Sequence, residues 1–466
     1  MLPSSLEGDS VEAPVSLPET LSPSSDDSRA TRRAGPEKRR WVERLAQVSN
    51  HIVSASREIK VLPSLEWDPD LKLRFFASGE KEPPRPVYAD RTAVLEKARQ
   101  QLAEIRARLT GKNSIEAWLR NTCDSYETAA RMLQACGTDD FYRYSRELYG
   151  DANTKFVDGA TSNVDLAKHL ARTLSSYRPT ALGITDVPRL RAEDVAPLLE
   201  KRFAAELPGE GITVTLADDI ASKAIAGPDR VRLRRDAILS DREVEILVNH
   251  EGLVHVATTI NGRNQPYLRV LGKGAPRTMR IQEGLAVFAE FMSASIDVDR
   301  MRRLADRTIA IEMSQQGASF VDLYRFFRDR GDEREEAFDN AQRVVRGGKV
   351  DGGAPFTKDV IYLDGLTRIH GYLHVAVPRG RLDDVARLFV GKIALEDIPA
   401  LRELELEGVL APPKHMPLWA KDLRFLAAYL AYSTFLKRID LSALHAHFSP
   451  VFASEDSEVA SVPDEE

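Results

Sequence analysis

The feature that most constrains this sequence is a predicted apolar helix that carries two histidines and a glutamate. Ser240 and Glu243 form a capping-box pattern, which predicts that the helix begins there. His250, Glu251 and His255 follow in an H-E-x-x-x-H arrangement within an apolar run. Burying two imidazoles and a carboxylate without partners costs several kcal/mol, and a bound dication would remove that cost. The helix is therefore a candidate metal-binding element.

The interval of five residues between the two histidines does not suit a regular α-helix. Each residue turns a helix by about 100°, so side chains five residues apart point about 140° away from each other. A local widening into a π-helix would direct both imidazoles to one ion, and Gly252 would lower the resistance to that distortion. The alternative is a regular helix with two unrelated histidines, one packed and one exposed.

A second predicted helix, over residues 280 to 296, supplies a candidate third ligand. It contains the sequence Gln-Glu-Gly-Leu-Ala at 282 to 286, in which Glu283 has apolar neighbours. A zinc peptidase with two histidine ligands and one glutamate places that glutamate on a helix downstream of the second histidine. The strand predicted over 230 to 233 turns its arginines outward, and a peptidase can hold a substrate backbone along such an edge.

Four motifs, in this order, resemble one known family. After the histidine motif come Asn-Gly at 261 to 262 with Gln-Pro at 265 to 266, then Gln-Glu-Gly-Leu-Ala, then Phe-Thr-Lys-Asp at 356 to 359 with Tyr-Leu at 362 to 363. The order resembles the QEGLA-motif family of zinc metallopeptidases, and the resemblance spans roughly residues 38 to 450. Bacterial members are often labelled flavohemoglobin expression-modulating proteins. Eukaryotic relatives include the microtubule-associated tyrosine carboxypeptidases, which remove a C-terminal tyrosine from tubulin.

The resemblance implies roles for residues at the metal. By that resemblance His250, His255 and Glu283 are the ligands of a catalytic Zn²⁺ ion. Glu251 is the catalytic base, which accepts a proton from an activated water and passes it to the leaving amine. The expected substrate is the C-terminus of a peptide or protein.

Two further roles concern the substrate. Tyr362 is the candidate donor to the developing oxyanion, and Lys358 and Arg280 are the candidate cations for the substrate's terminal carboxylate. Lys358 and Tyr362 are chosen because they fall in a motif of the resembled family. Weaker candidates for these roles are His370, His374, Arg263 and Arg269. The alternative for each cation is an ordinary surface charge, and for the two histidines it is helix packing.

The overall pattern predicts a mainly helical α+β fold, zincin-like, with a small sheet beside the active-site helix. Residues 1 to 36 are rich in Ser, Pro and acids and predict a disordered tail. Residues 37 to 187 predict a helical N-terminal region, 188 to 450 a zincin-like catalytic domain, and 451 to 466 an acidic disordered tail. The apolar stretch at 425 to 436 is too short for a membrane span and predicts a buried helix.

Composition excludes several classes of protein. The chain has 65 basic and 71 acidic residues, and six of the acids lie in its last fourteen residues, so no excess of cations favours a nucleic-acid partner. Two cysteines are too few for a disulfide-rich secreted scaffold. No secretory signal or membrane-spanning run is visible, so the chain is predicted to be cytoplasmic without a membrane partner. Its oligomeric state is left open.

Two other functions fit parts of the pattern. One is a non-catalytic regulator or binding protein that keeps the fold and the metal. The other is a haem- or nitric-oxide-linked sensor that uses His250 or His255. The glutamate between the histidines and the remote Glu283 suit zinc better than haem.

Overall fold

The computed structural model describes residues 35–177, 188–436 and 439–452, except residues 219, 221, 222 and 228. The tail predicted over residues 1 to 36 lies outside this range apart from its last two residues, which begin a helix. The acidic tail after residue 452 also lies outside it.

The first part of the described chain is helical, as predicted. Its helices are α1 (Gly35–Ala55), α2 (Val61–Ser64), α3 (Asp70–Ala77), α4 (Thr92–Ala107), α5 (Ser114–Gln134), α6 (Asp139–Tyr149) and α7 (Asn163–Leu174). Side chains hold several of their first turns: Asn113 accepts a hydrogen bond from the backbone N–H of Glu116, and Ser162 forms a capping box with Asp165.

Two small sheets follow. Their strands are β1 (Leu190–Arg191), β2 (Thr213–Ala217), β3 (Ala224–Ala226), β4 (Arg230–Arg234) and β5 (Ile238–Leu239), with helix α8 (Ala192–Glu206) between β1 and β2. Strand β4 lies in the centre of one sheet, parallel to β2 and antiparallel to β3, and β1 pairs with β5. Val231 and Leu233 are fully buried, which confirms the predicted alternation of β4. Strand β3 was not predicted, because three residues are too few to show a period of two.

The rest of the described chain is helical. Its α-helices are α9 (Asp241–Leu247), α10 (Ala257–Arg263), α11 (Met279–Met292), α12 (Val298–Gln315), α13 (Phe320–Asp329), α14 (Arg334–Val345), α15 (Ile361–Ala376), α16 (Leu382–Arg387), α17 (Ile398–Leu406), α18 (Leu418–Lys421), α19 (Arg424–Leu436) and α20 (Leu441–Phe452). A π-helix, Val248–Val256, joins α9 to α10. Short 3₁₀ turns occur at Ser56–Glu58, Arg269–Gly272, Pro276–Thr278, Lys358–Val360 and Leu395–Asp397.

The buried apolar residues form two cores. The small core joins α8, β2 and β4 to the helices that run from α9 to α10, and it includes Phe203, Val231 and Leu253. The large core contains side chains of helices α1, α4, α5 and α6 and of helices α11 through α17. It includes Val254, Leu285 and Ile369. Adjacent residues of the π-helix therefore face different cores, and this helix marks the boundary between them.

Helix α19 differs from its prediction. Leu426 and Leu430 are buried, but Phe425, Tyr432 and Phe435 are 61%, 63% and 57% exposed. The prediction of a buried helix over 425 to 436 is wrong, because within the described residues only one face of this largely apolar helix packs against the rest of the chain. Within the described residues, no helix has both the length and the low charge needed to cross a membrane.

Candidate metal centre

The two histidines lie on a π-helix, as their spacing predicted. Residues Val248–Val256 form it, between the regular helices α9 and α10. Hydrogen bonds in a π-helix run from residue i to residue i+5, so side chains five residues apart lie above one another. The ring centroids of His250 and His255 are 4.9 Å apart, with their planes at 83°. The widened helix thus brings both imidazoles to one side.

Gly252 has a packing role in this helix. A β-carbon built at this position would lie 2.3 Å from a ring carbon of Phe203 on α8. The absent side chain therefore lets the π-helix lie directly against α8 in the small core. Conformational freedom was the role expected from the sequence, whereas the structure shows that close approach also requires glycine here.

Glu283 completes a group of three ligand atoms. Its Oε2 atom is 3.5 Å from Nε2 of His250 and 3.6 Å from Nε2 of His255. The three ligand atoms all lie within 4.8 Å of one another. Ligand atoms about 2.1 Å from a tetrahedral Zn²⁺ ion are about 3.4 Å apart, so the two measured separations fit such an ion. The donor set and its dimensions therefore fit a metal ion.

The charges in this group depend on one another. Burial alone would raise the pKa of Glu283, but the charge of Lys358 and the close contacts with both histidines hold that pKa well below its ordinary value. Burial alone would lower the pKa of His250, but the close contact with Glu283 and the hydrogen bond with Glu290 raise it to about 10. The imidazole and the carboxylate therefore each stabilise the charged form of the other.

Glu290 orients His250. Its Oε1 atom is 2.6 Å from Nδ1 of His250, and Arg300 donates hydrogen bonds to both carboxylate oxygens of Glu290 at 3.0 and 3.1 Å. A carboxylate on one imidazole nitrogen leaves the other nitrogen directed at the metal and makes it a stronger ligand. Sequence analysis missed Glu290, although it lies two helical turns after Glu283 and so on the same face of α11.

Glu251 lies beside the ligand group and is not part of it. Its Oε2 atom accepts a hydrogen bond of 3.0 Å from the backbone N–H of Ala226 in strand β3. The side chain is partly exposed, so water can reach it. The strand that was not predicted therefore holds the predicted base.

Lys358 and Tyr362 lie on the other side of Glu283. The Nζ atom of Lys358 is 3.4 Å from Oε1 of Glu283 and 5.3 Å from the centre of the Tyr362 ring. Burial and then the charge of Glu283 raise the pKa of Tyr362, so its hydroxyl keeps its proton and can donate a hydrogen bond. Both residues are buried next to the ligand group.

The remaining sequence candidates lie elsewhere or have other partners. Arg280 pairs with Asp364 of α15 at 2.8 Å, so its role in substrate binding stays a prediction. Arg263 and Arg269 are exposed. The rings of His370 and His374 are 5.3 Å apart, and His374 contacts Thr434 of α19.

A partly buried lysine, Lys392, was missed from the sequence. Its Nζ atom donates to Oε1 of Gln282 at 3.0 Å and to the backbone carbonyl of His255 at 3.3 Å. Gln282 also accepts a hydrogen bond from Thr258 of α10. Gln282 thereby connects α11 to the end of the histidine-bearing helix. No local pattern around Lys392 indicated this, because its partners are more than a hundred residues away.

Comparison with known proteins agrees with this geometry. The sequence profile of the microtubule-associated tyrosine carboxypeptidase (MATCAP) family matches residues 73–438. Microtubule-associated tyrosine carboxypeptidase 1 of Mus musculus is 28% identical over 308 residues, which cover 64% of this chain and 62% of the mouse protein. The Homo sapiens protein of the same name is 27% identical over 308 residues, 64% of this chain and 61% of the human protein.

The matched region thus covers less than two thirds of these curated relatives. The family profile, however, covers most of this chain and includes the π-helix, Glu283 and Tyr362. The chain therefore belongs to the microtubule-associated tyrosine carboxypeptidase family.

Proposed function

We propose that this protein is a zinc-dependent carboxypeptidase that hydrolyses the last peptide bond of a peptide or protein substrate. The observation that carries this proposal is the convergence of His250, His255 and Glu283 within 4.8 Å, beside the carboxylate of Glu251. Family membership supports the reaction class. Membership of the bacterial QEGLA-motif subfamily is part of the same proposal.

Zinc is the metal that these ligands suit. Two imidazoles and one carboxylate are a common catalytic zinc set, and they leave a coordination position free for water or substrate. When bound, the ion activates a water molecule and polarises a carbonyl group. His250, His255 and Glu283 would hold it, with Glu290 behind His250.

Glu251 would move the proton. Its carboxylate lies outside the ligand group and is held by the N–H of Ala226, so it is free to accept a proton from water. The same group then delivers the proton to the amine that leaves. Tyr362 would donate a hydrogen bond to the substrate's carbonyl oxygen as negative charge develops there. Lys358 supplies positive charge beside these groups.

A matched pair of glutamate variants tests the proposal. Glu251→Gln should keep bound zinc and reduce cleavage of a C-terminal peptide library by a factor of about 100 to 10,000. Glu245→Gln removes a half-exposed carboxylate of α9 that pairs with Arg202 of α8, and it should change neither quantity. Absence of zinc from the wild-type protein would refute the metal assignment. Zinc without any cleavage by the wild type would favour a non-catalytic binding protein.

The names of the relatives narrow the substrate to be tested. They describe tyrosine carboxypeptidases associated with microtubules, so peptides that end in tyrosine are the first candidates. A library that varies only the last residue would measure this preference. Equal cleavage of all members would contradict a preference for C-terminal tyrosine but would still support carboxypeptidase activity. The cytoplasmic location and the absence of nucleic-acid and membrane partners stay predictions.

A further inference from the structure

Four arginines from α12 and the end of α14 have charges that act on Tyr362, which lies beside the candidate metal centre. Arg300, Arg307, Arg343 and Arg346 each interact electrostatically with Tyr362, and we call them the arginine cluster. Lys358 adds a fifth cation. These cations would repel a metal cation unless negatively charged groups balance them.

Two members of the arginine cluster have carboxylate partners. Arg300 makes two hydrogen bonds to Glu290, and Arg343 makes two to Asp359, at 2.8 and 3.2 Å. These pairs are the bidentate arrangement in which an arginine is fully neutralised. They belong to the framework of the site and leave no charge free for a ligand.

The other two members lack such a partner. Arg307 donates to the neutral side-chain carbonyl of Asn340 at 3.1 Å. The guanidinium of Arg346 lies 5.8 Å from the ring centre of Phe356, and its Nε atom has no hydrogen-bond partner in the described part of the chain. Arg346 is only 8% exposed. Within the described residues, neither arginine forms a salt bridge.

The surroundings of these two arginines favour an added anion. Burial and the neighbouring charge of Arg343 lower the pKa of Arg307 to about 9 and that of Arg346 to about 10. The hydroxyl of Tyr149 is buried and has no hydrogen-bond partner among the described residues. It interacts electrostatically with Lys358 and Arg346. Asp359 also acts on both arginines, but its carboxylate is already hydrogen-bonded to Arg343. An added anion would balance the charge of the two guanidiniums and accept a hydrogen bond from the Tyr149 hydroxyl.

We propose that Arg307 and Arg346, with the hydroxyl of Tyr149, bind a carboxylate of the peptide substrate. The inference rests on the proposed function, since it assumes that a peptide lies at the metal centre. Both arginines interact electrostatically with the same two groups, Asp359 and Tyr362, and Tyr362 lies beside Glu283. A carboxylate held there would place the end of the substrate next to the reacting groups, which would restrict cleavage to the last peptide bond.

Binding to a protein that does not cleave tests the site separately from the reaction. The full chain with Glu251→Gln and bound zinc is titrated with three labelled peptides. The first has neutral side chains and a free C-terminus, the second is its C-terminal amide, and the third is an amide whose last residue is glutamate. We expect the first to bind at least about tenfold more tightly than the second, as for a charge-assisted hydrogen bond.

The arginine variants are made in the same background. Arg307→Gln and Arg346→Gln should each weaken binding of a carboxylate-bearing peptide about tenfold or more and leave the neutral amide unchanged. A loss confined to the first peptide identifies the terminal carboxylate as the ligand, and a loss confined to the third identifies an acidic side chain. Arg303→Gln, a partly buried arginine of the same helix α12, is the matched control and should affect no peptide.

Two results would overturn the proposal. One is equal binding of all three peptides by the parent protein. The other is an equal loss for all three peptides in both arginine variants, which would indicate a purely structural role. Arg346→Lys, which keeps the charge, and thermal unfolding of each variant show whether a loss reflects misfolding. If the parent binds as expected but wild type cleaves nothing, the carboxylate site stands and the proposed enzymatic function fails.

Discussion

The small core and the large core contribute different halves of the metal centre. The small core supports the π-helix, which presents His250 and His255, and the strand that holds Glu251. The large core supports regular helices that present Glu283 and Tyr362. The histidine half depends on an unusual helix, whereas the glutamate half depends on closely packed ordinary helices. A functional site at the boundary of two cores can combine groups that neither could bring together alone.

The close packing of the large core is clearest where α11 meets α15. A β-carbon built on Gly284 would lie 2.1 Å from the carbonyl carbon of Gly365, so the two helix backbones are in contact. Arg280 and Asp364 form an ion pair across the same contact. Glu283 is adjacent to Gly284, so its position depends on this contact.

The largest expected effect is the loss of zinc binding when a histidine ligand on the small-core side of the site is removed. His255→Ala should abolish stoichiometric zinc binding, because two ligands are too few for a catalytic zinc site. It should also remove the stabilisation by zinc, about 2.7 kcal/mol at a free zinc concentration one hundred times the Kd. Metal content and thermal unfolding with and without zinc measure both effects. His370→Ala is the control, and full zinc occupancy in His255→Ala would show that the ligand set is wrong.

A substitution within the large core tests how closely α11 and α15 pack beside Glu283. Gly284→Ala forces α11 and α15 apart and should lower the free energy of unfolding by about 1 to 3 kcal/mol. Gly371→Ala, at an open position of α15, should instead raise it by up to about 1 kcal/mol. Urea unfolding of the zinc-free proteins measures the difference. Equal stabilities for the two variants would contradict the close contact.

The hydrogen bond between Glu290 and His250 crosses the boundary between the two cores. Glu290→Gln keeps the shape of the side chain but removes the charge behind His250, and should weaken zinc affinity about 10- to 100-fold. Glu312→Gln is the matched control, because Glu312 is a buried carboxylate that pairs with Lys168 away from the metal. Competition with a zinc chelator measures both affinities. An unchanged affinity in Glu290→Gln would mean that His250 is oriented by other contacts.

The smallest expected effect is a pH dependence of the unfolding free energy that arises from Lys273 in the large core. Burial, followed by the charges of Arg57 and Lys60, lowers the pKa of Lys273 from 10.5 to about 8. The folded protein therefore binds fewer protons here than the unfolded chain, so this contribution to stability is full above pH 10.5 and is lost as pH falls through about 8. Lys273→Met should flatten the rise in unfolding free energy between these values.

Urea unfolding at pH 7.5 and 9.5, with and without zinc, measures this contribution. Lys273 donates to Ser56 and to the backbone carbonyl of Val53, away from the ligand group. We therefore expect the difference between wild type and Lys273→Met to be the same in both conditions. A difference that appears only with zinc would show that the two parts of the molecule are coupled through Lys273.

Local patterns in the sequence were sufficient for the elements that carry the chemistry. The capping box at Ser240 and Glu243 places the start of α9, and the hypothesis that histidines five residues apart bind one ion predicts the π-helix. The alternation of Val231 and Leu233 predicts β4. These predictions succeeded because each depends on hydrogen bonds or burial within a few residues of chain.

Contacts between distant segments decided the rest. Asn261 belongs to a motif whose purpose was not visible in the sequence, yet its side chain bonds backbone groups of Phe389, Lys414 and His415. Gln265 likewise bonds to Val390 and Ala411. The two motifs thus attach the end of the histidine-bearing helix to segments more than a hundred residues away.

The same division applies to charge. The sequence alone identified which residue types could bind a metal and which could transfer a proton, because these are properties of the side chains. Only the folded chain determined that Arg280 is paired with Asp364, while Arg307 and Arg346 form no salt bridge among the described residues. Whether a charged group is available to a ligand depends on which other groups folding brings within a few ångströms, and that proximity is a property of tertiary structure.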